Sequence, residues 1–137
     1  MDEQDKPLSL VLFSGTDDKL NAAAVLTVGA AAMGRHVNIF LQYYALDAFR
    51  SSRMREDHHL SPEATAEQAP VVSAHPGLHW SELLNQAKDV GEVDIQACAL
   101  SMDMFHLSKT DLDPLVDGVE GVAAFIASAS EGQVVFI

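Results

Sequence analysis

The chain has 137 residues, of which 48% are hydrophobic, and a formal net charge of −12 at pH 7. This length suits one hydrophobic core, so we expect a single domain over residues 1–137. The acidic balance argues against nucleic acid or anionic lipid as a partner. The N-terminus lacks the features of a signal peptide and the most apolar stretch is too short for a bilayer, which predicts a cytoplasmic protein without a membrane span.

The first part of the chain predicts a strand, a helix and a second strand. An apolar run over residues 8–13 precedes Ser-Gly-Thr-Asp, a pattern typical of a buried parallel strand and its exit turn. A helix capped by Thr16, Asp17 or Asp18 is then expected to reach about Met33. Residues 36–44 predict the second strand, which completes a right-handed crossover.

The segment over about 50–78 interrupts this alternation. It is polar, carries three of the five prolines and shows no sustained periodicity. Because plain connections are shorter than this, we interpret it as a flexible insertion, either a mobile flap or a surface that binds a partner.

The rest of the chain resumes the alternation. A helix is expected from Trp80 to Gly91, a third strand over residues 93–99, and a short helical stretch around Leu100 to Phe105. A last helix is expected from Val119 to Ala129, followed by a terminal strand. This order predicts an α/β three-layer sandwich, flavodoxin-like or Rossmann-like, with a mostly parallel sheet of four or five strands.

Ser14, Gly15 and Thr16 follow the first predicted strand. In open parallel sheets, ligands bind beyond the carboxyl ends of the strands. The hydroxyl and backbone N–H groups of these residues can hold a small anion or an anionic sulfur species. The same residue types are also ordinary turn and cap residues, and the sequence leaves that alternative open.

Cys98 is the only cysteine and ends the third predicted strand. It has no intrachain disulfide partner, and a helix that starts directly after it favours the thiolate. Ser101 offers a hydroxyl hydrogen bond to the sulfur, and Met102 an apolar wall for a sulfur adduct. Free cysteines are also common as inert core residues, so a structural Cys98 stays an open alternative.

The histidines do not predict a metal site. His75 and His79 have a spacing that holds metals when it lies on a helix, but Pro76 and Gly77 between them disfavour that helix. No recognised pattern of carboxylate or cysteine ligands accompanies them. We therefore expect no bound metal.

Four blocks of the sequence resemble one known family, the DsrE/DsrF-like sulfur-relay proteins, and in particular its small cytosolic sulfur carriers. The blocks are VLFSGTDDKLNAAAVLTVGAAAMGRHVNIFL, ACALSMDMFHLSKTDL, DGVEGVAAFIASA and the terminal VVFI. The most specific part is Ala97 to Asp103, together with Ser14-Gly15. The chain departs from the family in LQYYALDAF after the second strand and in a shorter DGVEGVAAF.

This resemblance implies an α/β fold that assembles into trimers or hexamers and that needs no cofactor. It also implies that Cys98 accepts sulfane sulfur as a persulfide and passes it to an acceptor protein or a small thiol. The implied partners are sulfur donor and acceptor proteins, or small persulfide and thiosulfonate species. Whether such a carrier also acts as a sulfurtransferase enzyme stays open.

Two other functions compete with the sulfur carrier. One is a non-catalytic oligomeric binding module in which Cys98 is structural and the insertion recognises the partner. The other is a thiol-based redox protein, which the absence of a resolving cysteine disfavours.

Overall fold

The computed structural model describes residues 5–137 and contains one five-stranded sheet in which every neighbouring pair of strands is parallel. The strands are β1 (Leu8–Leu12), β2 (Val37–Leu41), β3 (Val93–Cys98), β4 (Gly118–Glu120) and β5 (Gln133–Phe136), in the order β4-β3-β2-β1-β5. The predicted α/β class and parallel sheet are therefore confirmed.

Helices cover both faces of this sheet. They are α1 (Asp17–Ala32), α2 (Tyr43–Ala48), α3 (Gln68–Ser73), α4 (Trp80–Val90), α5 (Ala99–Met104) and α6 (Val122–Ala129), with a 3₁₀ turn at Lys109–Asp111. The crossovers from β1 to β2 and from β2 to β3 run in one direction, so α1 and α4 pack side by side on one face. The return from β4 to β5 runs the other way, which places α6 on the opposite face. The result is a three-layer sandwich.

Alternation along the strands divides the core into two unequal parts. The α1 face carries the main core, built on Leu10, Ile39 and Ile95, whereas the α6 face carries a small cluster of Phe40, Cys98, Phe125 and Ala129. The short helix α6 covers the second face. Its outward apolar residues, Val122 and Ile126, are exposed.

The last helix begins later than predicted, because Val119 belongs to strand β4. Asp117 sets this strand in place: its backbone N–H donates to the Ile95 carbonyl (2.7 Å), and its carboxylate accepts the Ile95 N–H (2.8 Å). The same carboxylate pairs with Lys88 of α4. These long-range bonds override the helical spacing that starts at Val119.

The insertion is anchored to the first turn of α1. Thr16 is the N-cap and makes no side-chain capping bond. The Asp17 carboxylate accepts the His58 N–H (3.1 Å) and the Trp80 indole N–H (3.0 Å), and the Asp18 carboxylate accepts the N–H and hydroxyl of Ser61. Helix α3, in contrast, has no buried residue. The predicted flexibility of the insertion stays a prediction.

None of the helices within residues 5–137 combines the length and hydrophobicity that crossing a membrane requires.

Candidate functional site

Cys98 lies at a junction of strand and helix. It is the last residue of β3 and the N-cap of α5, and its side chain makes no capping hydrogen bond. The carboxyl ends of all five strands meet at this edge of the sheet because the strands are parallel. The thiol is therefore at the edge where the sequence predicts it.

The sulfur is covered in this conformation. Cys98 is only 4% exposed and belongs to the cluster with Phe40, Phe125 and Ala129. The rings of Phe40 and Phe125 stack at 4.7 Å with an interplanar angle of 9°. The thiol therefore has little contact with solvent in the isolated subunit, and access of a sulfur donor to Cys98 stays a prediction.

Ser101 is fully buried and serves the backbone of α2. Its hydroxyl oxygen accepts the Tyr43 N–H at 3.0 Å, and Tyr43 adopts a left-handed φ of 45°, which costs free energy in a residue with a side chain. This bond joins α5 to the start of α2. Met102 is buried in the main core. Contacts of Ser101 and Met102 with a sulfur substrate stay predictions.

Ser14, Gly15 and Thr16 line a separate cavity of about 270 Å³, which we call the β1 cavity. Its other lining residues are Tyr44, Asp47, Arg53, His58 and His59. Cys98 does not line it. A side chain on Gly15 would overlap the carbonyl oxygen of Tyr44, so only glycine lets the two backbones approach this closely. The structure thus separates the two groups of predicted site residues.

Glu120 lies beside Cys98 on the neighbouring strand. The two residues are paired in the β3–β4 register and so lie on the same face of the sheet. Burial raises the pKa of the Glu120 carboxyl, and the nearby Asp94 carboxylate raises it further. The sequence does not point to this residue, because Val119 fits a helical spacing. The sequence feature that could have indicated strand β4 is the pair of glycines, Gly118 and Gly121, that flank Val119 and Glu120.

The β1 cavity also contains residues that the sequence did not predict. Arg53, His58 and His59 come from the insertion, which crosses the start of α1 to reach them. Burial raises the pKa of the Asp18 carboxyl, but the hydrogen bonds from Ser61, Thr16 and Lys19 outweigh it, so the net pKa is lowered. Asp18 therefore anchors the insertion as a carboxylate.

The fold and the thiol at the strand end define the chain as a parallel α/β protein with a cysteine at the carboxyl edge of its sheet. A family model described as the DsrE/DsrF/DrsH-like family matches residues 4–76 and 64–137. The chain belongs to this family, which confirms the resemblance found in the sequence.

Two curated relatives align along almost their whole length. The uncharacterized protein YrkE of Bacillus subtilis is 31% identical, over 98% of this chain and 98% of its own. The sulfur carrier protein DsrE2 of Allochromatium vinosum is 26% identical, over 96% of this chain and 97% of its own.

One solved structure supports the fold. MTH1491 of Methanobacterium thermoautotrophicum, a protein of unknown function, superposes with a TM-score of 0.62 over 97% of this chain and 100% of its own. At 14% sequence identity, this similarity concerns the architecture alone.

Proposed function

We propose that this protein is a cytoplasmic sulfur carrier that accepts sulfane sulfur on Cys98 as a persulfide and passes it to an acceptor thiol. The observation that carries the proposal is the position of Cys98, the last residue of β3 and the N-cap of α5. Membership of the DsrE/DsrF/DrsH-like family and the full-length similarity to a protein named as a sulfur carrier support it.

The chemistry consists of two displacements at sulfur. The Cys98 thiolate attacks the outer sulfur of a donor persulfide, a new S–S bond forms on Cys98, and the donor leaves as a thiolate. An acceptor thiolate then attacks the outer sulfur of the Cys98 persulfide and regenerates the Cys98 thiolate. Each step exchanges one S–S bond for another, so neither requires an external oxidant or reductant.

We propose that α6 opens to admit the donor and the acceptor, because Cys98 is only 4% exposed in the closed conformation. The cluster that encloses Cys98 is small, and only Phe125 and Ala129 of α6 are buried. Val122 and Ile126 of the same helix are 59% and 61% exposed. Only these two α6 side chains leave the core when the helix moves, and elements with few buried contacts open at lower free energy than the rest of the core. We propose that a donor or acceptor protein binds this exposed side of α6 and displaces it.

The test is sulfur loading measured by intact mass spectrometry. After incubation with a polysulfide or a persulfide donor, the wild-type subunit should gain the mass of one sulfur atom, and reductant should reverse the gain. Cys98→Ser should gain nothing. The proposal fails if the wild type gains no sulfur from any donor, or if Cys98→Ser gains it too.

The burial of Cys98 favours a second candidate function, a non-catalytic oligomeric binding module with a structural cysteine. In such a module, Cys98→Ala leaves partner binding intact. Replacement of residues 64–75 by a short Gly-Ser linker abolishes it, and this segment is suitable because α3 has no buried residue. A partner is first captured by the wild type, and the two variants are then compared for retention of that same partner.

A further inference from the structure

A groove larger than the β1 cavity lies on the side of the molecule that α1 and α4 cover. Its volume is about 920 Å³, and its walls come from α1, α3, α4 and the insertion between them, so we call it the α3 groove. Helices α1 and α4 lie on the face of the sheet opposite α6. The α3 groove is therefore separate from the cover over Cys98.

Apolar side chains from three parts of the chain face this groove and lack a cover. Val25 of α1 and Val71 of α3 are each more than half exposed, and Leu78, which precedes α4, is nearly half exposed. Helix α3 has no buried residue, although Val71 and Val72 both line the groove. Exposed apolar residues that gather on one concave surface are typical of a protein interaction site.

The positive charges near the α3 groove are all neutralised by carboxylates. Arg55 lines the groove, and its guanidinium pairs with Glu82 at 3.3 Å. Two carboxylates and two guanidinium groups alternate in a neighbouring row of ion pairs: Glu56, Arg53, Asp47 and Arg50. Burial and the Arg55 guanidinium lower the pKa of His79, which therefore adds no positive charge at pH 7.

Three other carboxylates line the α3 groove and keep their charge: Asp17, Asp18 and Asp57. They accept hydrogen bonds only from neutral backbone, hydroxyl and indole groups, and within residues 5–137 none of them forms an ion pair with Lys or Arg. The groove thus carries a negative surplus next to its apolar wall. A partner with complementary charge is basic.

The shape of the α3 groove favours a helix as the occupant. Its lining contains no strand residue, so it offers no sheet edge to which an extended peptide could add a strand. A second copy of this chain is a poor match, because none of the helices within residues 5–137 carries more than one Lys or Arg. Two copies also repel each other, since each has a net charge of −12.

We propose that the α3 groove binds a basic amphipathic helix of a partner protein. The apolar side of that helix packs on the exposed valines and Leu78, and its Lys or Arg residues face the three unpaired carboxylates. The proposal does not rest on the sulfur-carrier function. Because the groove and α6 lie on opposite sides of the sheet, a partner bound here leaves α6 free to open.

The test is fluorescence anisotropy of a labelled synthetic peptide titrated with the full chain. The peptide consists of Leu and Lys at helical spacing and is about four turns long. The control peptide carries Glu in place of every Lys. The wild type should bind the Leu-Lys peptide and not the Leu-Glu peptide, and added salt should weaken the binding.

Apolar contact is tested with serine substitutions on two walls of the groove. Val25→Ser and Val71→Ser should each weaken binding of the Leu-Lys peptide by about fivefold, because each removes apolar surface that the peptide covers. Val90→Ser is the matched control, since Val90 is an exposed valine of α4 outside the groove lining. Circular dichroism checks that each variant is folded.

Local charge is distinguished from net charge by two substitutions that remove one carboxylate each. Asp57→Asn should weaken binding of the Leu-Lys peptide by about threefold, the size of an exposed charge contact. Asp103→Asn, at an exposed position of α5 outside the groove, should leave it unchanged. Equal weakening by both would show that the peptide responds only to net charge, which would overturn the proposal.

The remaining outcomes separate this proposal from the carrier function. Cys98→Ser should bind the Leu-Lys peptide as the wild type does, although it cannot be loaded with sulfur, so a failure of sulfur loading leaves the groove proposal intact. The groove proposal is overturned if the Leu-Lys peptide does not bind, if the Leu-Glu peptide binds as tightly, or if both Val25→Ser and Val71→Ser bind as the wild type does.

Discussion

Gly15 illustrates how a single residue shapes the carboxyl edge of the sheet. It lies between β1 and α1, where its Cα faces the backbone carbonyl of Tyr44 at the start of α2. The close approach aligns the two loops that form the β1 cavity. Glycine is therefore required here for space rather than for an unusual φ.

Gly15→Ala should lower the free energy of unfolding by about 2 kcal/mol or more, because a methyl group there overlaps backbone atoms that cannot turn aside. Gly29→Ala is the matched control, since Gly29 is an exposed position of α1 where an added methyl group meets no atom within 4 Å. That control should raise stability by about 0.5–1 kcal/mol. Urea denaturation measures both values, and equal effects of the two variants would contradict the prediction.

Glu120 gives a pH dependence whose sign follows from its environment. Burial and the Asp94 carboxylate raise the pKa of its carboxyl in the folded state. The protonated Glu120 carboxyl therefore contributes to the free energy of unfolding. This contribution is fully present below the ordinary pKa of 4.5 and is lost as pH rises through the higher folded-state pKa. At pH 7 the charged carboxylate therefore destabilises the fold.

Glu120→Gln should accordingly raise the melting temperature at pH 7 and have little effect at pH 4. Glu131→Gln, at an exposed position, is the control and should change neither value. Scanning calorimetry at the two pH values measures the difference. A Glu120→Gln variant that is less stable than the wild type at pH 7 would argue that the charge has a favourable partner.

At the scale of elements, α6 is the cover of the thiol. Its inner residue Phe125 stacks on Phe40 of β2, and its next residue, Ile126, faces outward. Substitutions at Phe125 and Ile126 therefore distinguish two effects: loss of the cover over Cys98, and a change in α6 that leaves this cover in place.

Phe125→Ala should speed the alkylation of Cys98 by iodoacetamide several-fold and cost about 3–5 kcal/mol of stability. Ile126→Ala should leave the alkylation rate near that of the wild type, because Ile126 is 61% exposed. Rates are compared at equal pH under conditions where each variant is folded by circular dichroism. Equal rates in wild type and Phe125→Ala would mean that α6 does not limit access.

The insertion is a second element whose behaviour depends on α1. Asp18 accepts hydrogen bonds from Ser61, and the net effect on its pKa is a decrease. The contribution of the Asp18 carboxylate to stability is present above the ordinary pKa of 3.8 and is lost as pH falls through the lower folded-state pKa. The anchor should therefore release in acid.

Asp18→Asn should reproduce that release at neutral pH, with a loss of about 1 kcal/mol after allowance for solvent screening. Hydrogen exchange measured by mass spectrometry should show faster exchange over residues 57–61 and unchanged exchange in β1. Asp89→Asn, at an exposed position of α4, is the control. Unchanged exchange over residues 57–61 would show that Asp18 is not the anchor.

At the scale of the whole molecule, the α6 side presents an exposed apolar surface. Its members are Val122 and Ile126 of α6 and, on the same face of the sheet, Val134 and Phe136 of β5, each more than half exposed. We expect copies of this chain to associate through the β5 part of this surface, Val134 and Phe136, so that Val122 and Ile126 of α6 stay available for a donor or acceptor protein. Because each copy carries a net charge of −12, salt should strengthen the association by screening their repulsion.

Phe136→Glu should therefore reduce the mass of the assembly in multi-angle light scattering, and more so at low salt. Val71→Glu is the control, because Val71 is equally exposed but lies on α3, away from this surface. A wild-type chain that is monomeric at all salt concentrations would contradict the prediction. The trimer or hexamer implied by the family also stays a prediction until that mass is known.

The sequence by itself determined the α/β class, four of the five strands, the main helices and the family. These features rest on local signals: apolar runs over residues 8–13 and 93–99, helical spacing from Trp80, and the block around Cys98. Each of these signals involves residues close together in the chain, so they predict strands and helices without knowledge of the tertiary structure.

Only the tertiary structure decided how exposed the thiol is and which residues surround each site. Strand β4 exists because Asp117 bonds to Ile95, and it brings Glu120 beside Cys98. The β1 cavity exists because Asp17 and Asp18 hold the insertion, which delivers Arg53 and His58. These contacts join residues about 20–45 positions apart, and no local pattern in the chain encodes a contact over that separation.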